Sequence, residues 1–184
     1  MKIIKTKFDD VKIVQPAVFS DERGYLIESY QYKRYREAGI VREFAQDNLS
    51  FSKRGTLRGL HYQHPHSQAK LVHVVMGKVL DVIVDIRRGS STFSQWEGYI
   101  LSDQNKHQLF VPEGFAHGYF VLSKTAILTY KCSDYYAPDC EKGVLWSDSG
   151  LKIQWPVKNP ILSEKDRQYP LLKEIPTEFL PEYR

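Results

Sequence analysis

Four of the six histidines in this 184-residue chain lie in two short stretches where chemistry can gather. His61, His64 and His66 follow closely on one another and are trailed by Lys70, while His117 closes the run Pro112-Glu113-Gly114-Phe115-Ala116-His117. Imidazoles ligate divalent cations or move protons near neutral pH. Their companions decide between the two. A cation wants neutral imidazole or carboxylate around it, and an ammonium such as that of Lys70 would repel it. His61 as a base, Lys70 as a fixed positive charge and Tyr130 as a phenolic acid instead form a set for proton transfer beside a ketone. At ~4 Å and an effective dielectric of about 20, one charge facing a developing enolate is worth roughly 4 kcal/mol. That is about a thousandfold in rate, and a general base adds about 10²–10⁴ more. Blander readings stand beside these. His64 and His66 flank Pro65 in a polar stretch and read as a solvated loop, and Tyr130 alone reads as an ordinary strand aromatic.

Such groups need a rigid frame. Short apolar alternations over residues 11–14, 25–29, 70–75, 79–86, 96–101, 108–111 and 126–131 read as strands, rich in β-branched residues and bounded by Gly, Asp, Ser or Pro. Met76-Gly77-Lys78 reads as a tight hairpin between two of them. In the last of these runs Leu128, Tyr130 and Cys132 share one face. A helix is predicted over 31–38, closed by Gly39 at C′. Ser163 is placed to cap a short second helix, and five prolines in the last 30 or so residues argue against long ones. Many short strands and little helix imply a mainly β fold, an antiparallel sandwich or closed barrel.

Bulk properties agree with one globular domain over 1–184. A chain this long buries roughly 70% of its unfolded surface. The composition, 42% hydrophobic and 26% charged, is that of an ordinary globular protein. The net charge of +4 comes from scattered residues, so nucleic acid is not an expected partner. Cys132 and Cys140 read as two reduced thiols. The N-terminal residues show no apolar signal core and no run is long enough to span a membrane, so a cytoplasmic protein is expected.

The two histidine stretches resemble the halves of a cupin signature. Pro112 to His117 fits its PxGxxH half, although the leading Gly and trailing Asn positions hold Lys106 and Val121. Residues 59–77 resemble the other half, with Lys70 where a metal-binding cupin carries Glu. The expectation is a barrel mouth that remains a site but holds no metal.

Longer stretches carry a more specific resemblance. They are Phe19-Ser20-Asp21-Glu22-Arg23-Gly24, Gln46-Asp47-Asn48, Leu57-Arg58-Gly59-Leu60-His61-Tyr62-Gln63, Val84-Asp85-Ile86-Arg87, Phe110 through Gly118, Tyr130-Lys131, Asp134 through Pro138, and Leu162-Ser163-Glu164-Lys165-Asp166. In this order they resemble the dTDP-4-dehydrorhamnose 3,5-epimerase family. The resemblance implies a double-stranded β-helix (jelly-roll, cupin-like) barrel with short peripheral helices, a homodimer and no cofactor. It implies His61 as base, Asp166 as the carboxylate orienting it, Lys70 as enolate stabiliser and Tyr130 as acid, which reverses the bland reading of Tyr130. It assigns Arg23, Glu28, Gln46, Asp47, Asn48, Arg58, His117, Glu141 and Lys165 to a dTDP-sugar substrate, with Tyr136 stacking on the thymine. Cys132 and Cys140 stand where small or polar residues are expected, and no role is read for them.

The implied reaction is inversion at C3 and C5 of dTDP-4-keto-6-deoxy-D-glucose. An epimerase acting at one carbon, a metal-dependent cupin enzyme and a non-catalytic sugar-nucleotide binder are the competing classes.

Overall fold

The computed structural model describes residues 1–183. Period-two alternation yields thirteen strands among them: β1 (Lys2–Lys5), β2 (Lys12–Gln15), β3 (Val18–Asp21), β4 (Gly24–Ile27), β5 (Gln46–Lys53), β6 (Leu57–Gln63), β7 (Lys70–Met76), β8 (Lys78–Asp85), β9 (Trp96–Ser102), β10 (Gln108–Val111), β11 (Phe115–Val121), β12 (Thr125–Cys132) and β13 (Glu141–Gly143). Eleven of them form two antiparallel sheets that face each other. One has the order β1-β2-β10-β7-β12-β5, the other β13-β6-β11-β8-β9. β3 and β4 pair only with each other, as a separate hairpin. This is the expected jelly-roll sandwich.

Between the sheets lies an apolar layer that includes Val72, Val74, Val79, Ile83, Leu101 and Leu128, each fully buried. Burying one such side chain contributes roughly 1.5–3 kcal/mol. The outer faces are covered as well. The C-terminal segment lays Val144, Leu151, Leu172 and Ile175 over Leu60, Val82 and Val84. α1 (Tyr32–Glu37) sets Tyr35 against Val14, Leu71 and Phe110 on the other side. Double coverage explains why β11 is buried at every position.

Both short helices form where the sequence places them. α1 is capped by the Gln31 side chain and stops before Gly39, whose φ of +82° suits the C′ position. α2 (Glu164–Gln168) is capped by Ser163, which accepts from the Asp166 amide. The Met76-Gly77-Lys78 hairpin does not form. β7 and β8 belong to different sheets, and Gly77 turns the chain from one to the other. Its φ is +88°, and a Cβ there would meet the Thr125 carbonyl oxygen at 2.2 Å. Each strand finds its hydrogen bonds with strands distant in sequence, a pairing that a short tight turn does not disclose.

Candidate active site

β6 carries the central residue, and a bulge aims it. His117 pairs with His61 across β11 and β6, but Tyr119 pairs with Arg58, so Gly59 and Leu60 oppose Gly118 alone. Extra residues of this kind reverse which face later side chains meet. Arg58 and His61, three residues apart, therefore both reach the cavity. Glycine makes this possible. A Cβ on Gly59 would lie 2.5 Å from the Gly118 Cα, and one on Gly118 would lie 2.6 Å from the Arg58 carbonyl oxygen.

His61 Nε2 lies 2.5 Å from Asp166 Oδ1, a carboxylate 105 residues away on α2. The Asp166 side chain is 4% exposed and that of His61 29%. Burial alone would raise the Asp166 carboxyl. The His61 hydrogen bond and charge, with the Ser163 contact, outweigh it and hold the group below the usual carboxylate range. An ionised carboxylate only accepts, so Nε2 carries the proton and Nδ1 is left as the basic nitrogen. The same logic orients the histidine of a catalytic triad.

The opposite wall belongs to the other sheet. Lys70 on β7 and Tyr130 on β12 point inward with Val72, and Cys132 pairs with Lys70 in the ladder. Burial pushes the Lys70 ammonium down, against the pull of the nearby Cys132, Glu141 and Asp81. Among the described residues no hydrogen bond or ion pair satisfies it. Burial pushes the Tyr130 phenol up, helped by Cys132 and Tyr119 and opposed by Arg58. A phenol so shifted stays protonated near neutral pH and can act as an acid.

These residues line a cavity of about 480 Å³, together with His117, Arg58, Tyr119 and Lys165. His117 Nε2 meets both oxygens of the fully buried Asp81, at 2.8 and 3.0 Å. A second cleft of about 300 Å³ shares His61, Lys70 and Tyr130 and adds Gln46, Asn48, Tyr136, Cys132 and Glu141. Here Glu141 accepts from Tyr136 Oη at 2.5 Å and pairs with Lys165. Burial would raise the Glu141 carboxyl, but those two donors hold it down. Gln46 anchors the Tyr136 amide at 2.8 Å.

Three expected substrate residues stand apart. Asp47 points outward and pairs with Lys131 at 3.0 Å. Arg23, at the tip of the β3–β4 hairpin, is paired with Asp21 at 2.6 Å and is 86% exposed. Glu28 pairs with Arg34 of α1 at 2.8 Å. None of the three lines the cavity. His64 and His66 lie beside a different depression, as a loop reading anticipates. Cys132 and Cys140 are both free thiols. No three His, Cys, Asp or Glu side chains among the described residues converge as metal ligands.

Asp81 escaped the sequence reading. Its signal was a carboxylate in the middle of the apolar run of β8, which a sandwich interior accepts only when a partner is supplied.

Comparison with known proteins adds an independent line. The family model for dTDP-4-dehydrorhamnose 3,5-epimerase matches residues 5–174. A protein of that description from Shigella flexneri is 54% identical over 168 residues, covering 90% of this chain and 93% of its own. The crystal structure of the dTDP-6-deoxy-D-glucose-3,5-epimerase of Legionella pneumophila, in complex with dTDP-4-keto-L-rhamnose, superimposes with a TM-score of 0.97 at 51% identity. It covers 100% of this chain and 98% of that one. A Bacillus anthracis dTDP-4-dehydrorhamnose 3,5-epimerase with TDP and pyrophosphate bound gives 0.90 at 50% identity, covering 92% and 98%. With the family model matched over residues 5–174 and relatives of that description more than half identical, the chain belongs to the dTDP-4-dehydrorhamnose 3,5-epimerase family.

Proposed function

We propose that this protein inverts C3 and C5 of dTDP-4-keto-6-deoxy-D-glucose, giving dTDP-4-keto-L-rhamnose, by proton transfer without a cofactor. The observation that carries the reading is the His61–Asp166 pair on one wall of a cavity whose other wall bears Lys70 and Tyr130. Both reacting carbons flank the C4 ketone, so one base and one oxyanion site serve each in turn.

His61 Nδ1 takes the proton from carbon. The C–H electron pair moves into a C=C bond and the carbonyl electrons onto oxygen, giving the enolate. Lys70 faces that oxygen with its positive charge, held in place beforehand by β7. A proton then reaches the opposite face, from Tyr130 Oη at C5 and from Tyr130 or solvent at C3, and solvent restores the tyrosine and removes the proton from His61. Asp166 steadies the imidazolium meanwhile.

Arg58 suits the diphosphate, since its planar fork donates two parallel hydrogen bonds. Gln46, Asn48 and Tyr136 suit the nucleoside, and Glu141 holds Lys165 and Tyr136 in place beside it. His117, fixed by Asp81, lines the sugar end of the cavity.

Arg23, Glu28 and Asp47 join this site if a second copy of the chain completes it. The β3–β4 hairpin exposes Phe19 and Leu26, and the outer face of β5 exposes Leu49 and Phe51, apolar surfaces that a homodimer would cover.

Incubating the sugar nucleotide with enzyme in D2O and following C3 and C5 by NMR tests the reaction. Deuterium is expected at both carbons. Exchange at neither refutes the reading, and exchange at one makes the protein a single-carbon epimerase.

A further inference from the structure

Tyr169 has no part in the chemistry just described, yet it touches the base. It is the C-cap residue of α2, three positions after Asp166. Its ring meets that of His61 edge to face, with centroids 5.6 Å apart and planes at 67°. One short helix therefore delivers two contacts to the same imidazole, a carboxylate at its nitrogen and an aromatic ring against its side.

The seat of Tyr169 is built for it. Gly143 on β13 is the ladder partner of His61. A Cβ on Gly143 would lie 2.4 to 2.5 Å from Cε2, Cδ2 and Cζ of Tyr169. The ring thus occupies the space that any larger residue at 143 would fill. The Tyr169 hydroxyl, by contrast, is buried and has no hydrogen-bond partner among the described residues. Buried hydroxyls are normally satisfied. Both the contact with His61 and the fit on Gly143 are made by the ring and not by the hydroxyl.

We propose that Tyr169 is a positioning residue for His61: its ring, seated on Gly143, fixes the plane of the imidazole and shields the His61–Asp166 hydrogen bond from water. The inference rests on the reading of His61 as base. Without the ring, the imidazole is still tethered at Nε2 but can swing about that tether and carry Nδ1 off line. A displacement near an ångström costs on the order of 10²-fold in rate. Substrate contacts elsewhere are untouched, so the loss falls on kcat and not on KM.

The test compares Tyr169→Phe, Tyr169→Ala, Tyr169→Leu and Gly143→Ala in steady-state and D2O wash-in assays, with melting temperatures recorded for each. Tyr169→Phe restores what Ala removes and melts no lower than the parent. Tyr169→Ala and Gly143→Ala lose about ten- to a hundredfold in kcat at C3 and C5 alike, with KM within about threefold. Tyr169→Leu keeps apolar volume without a planar ring and is read in place of the alanine variant if that protein does not fold. A folded Leu or Ala variant with full kcat overturns the proposal, as does Tyr169→Phe falling as far as alanine. So does a loss confined to KM. His61→Ala, run alongside, separates the two levels. If it is inactive while Tyr169→Ala is not, only the positioning role fails. If His61→Ala still exchanges deuterium, the assignment of the base itself fails.

Discussion

Replacing Lys70 by Met should make this protein more stable and nearly inactive at once. The lysine enters the sandwich on β7, among Val72 and Val74, with Cys132 opposite and no ion-pair partner among the described residues. Lys70 is half-buried and its ammonium opens on the cavity, so only part of the cost of an unsatisfied polar group applies, on the order of 1 kcal/mol. Methionine has similar length, follows the same path and carries no such cost. For a chain of this size each kcal/mol moves the melting temperature by about 2–4 °C, so the variant should melt about 2–4 °C higher. Its activity should fall about a thousandfold, the value of one charge at ~4 Å from an enolate oxygen with an effective dielectric near 20. A linked pH effect follows. Burial lowers the folded-state pKa of Lys70. The unfolded chain therefore binds the proton more tightly, and stability rises with pH from the folded value toward about 10.4. The Met variant lacks that rise. Calorimetric melts between neutral and alkaline pH, paired with wash-in rates, measure both signs. A variant that melts lower than the parent, or retains a tenth of its rate, refutes the role given to Lys70.

Asp166→Asn keeps the shape but leaves the imidazole tautomer unspecified, and kcat should drop about 10²–10⁴ with KM little changed; a loss below about tenfold in a steady-state assay would show that His61 orients itself. Gly118→Ala places a methyl 2.6 Å from the Arg58 carbonyl oxygen, an overpacking that typically costs about 1–3 kcal/mol. Melting curves should reveal that loss together with a fall in activity, because the bulge that aims Arg58 and His61 is spread. Asp166 and Glu141 both have folded pKa values held below their ordinary ones. Their contribution is present above about pH 4 and is lost as pH falls through the folded values. Acid titration of the melting temperature should therefore be shallower in Asp166→Asn and in Glu141→Gln than in the parent; identical slopes would contradict the shifts.

The strands legible in the sequence were those with an apolar inner face, such as β8 and β12. β5 was missed because its pattern is inverted: Gln46, Asn48, Ser50 and Ser52 face inward beside the cavity while Leu49 and Phe51 face out. A cavity lined by polar side chains reverses the usual rule of apolar-in. β11 was hidden by coverage on both faces, which removes alternation altogether. Within the site, residue types suggested a base and a cation, but nothing local joins His61 to Asp166 across 105 positions. That link came from family resemblance. The Gly77 corner was misread because a hairpin turn and a crossing between sheets use the same residue for the same left-handed conformation.

His61 and Tyr130 ride on different sheets, so the gap between them is a sandwich thickness and not a loop distance. Stacked sheets sit about 10 Å apart, and here that spacing is held by Val74, Ile83 and Leu101, none of which lines the cavity. The pocket therefore behaves as a caliper. Across the jaws its opening is set by the hydrophobic interior and resists adjustment. Along them the cleft runs open toward Tyr136 and Glu141. Sugars altered at their edges should be accommodated more readily than sugars of different thickness, and the tolerance of the enzyme becomes a property of its core.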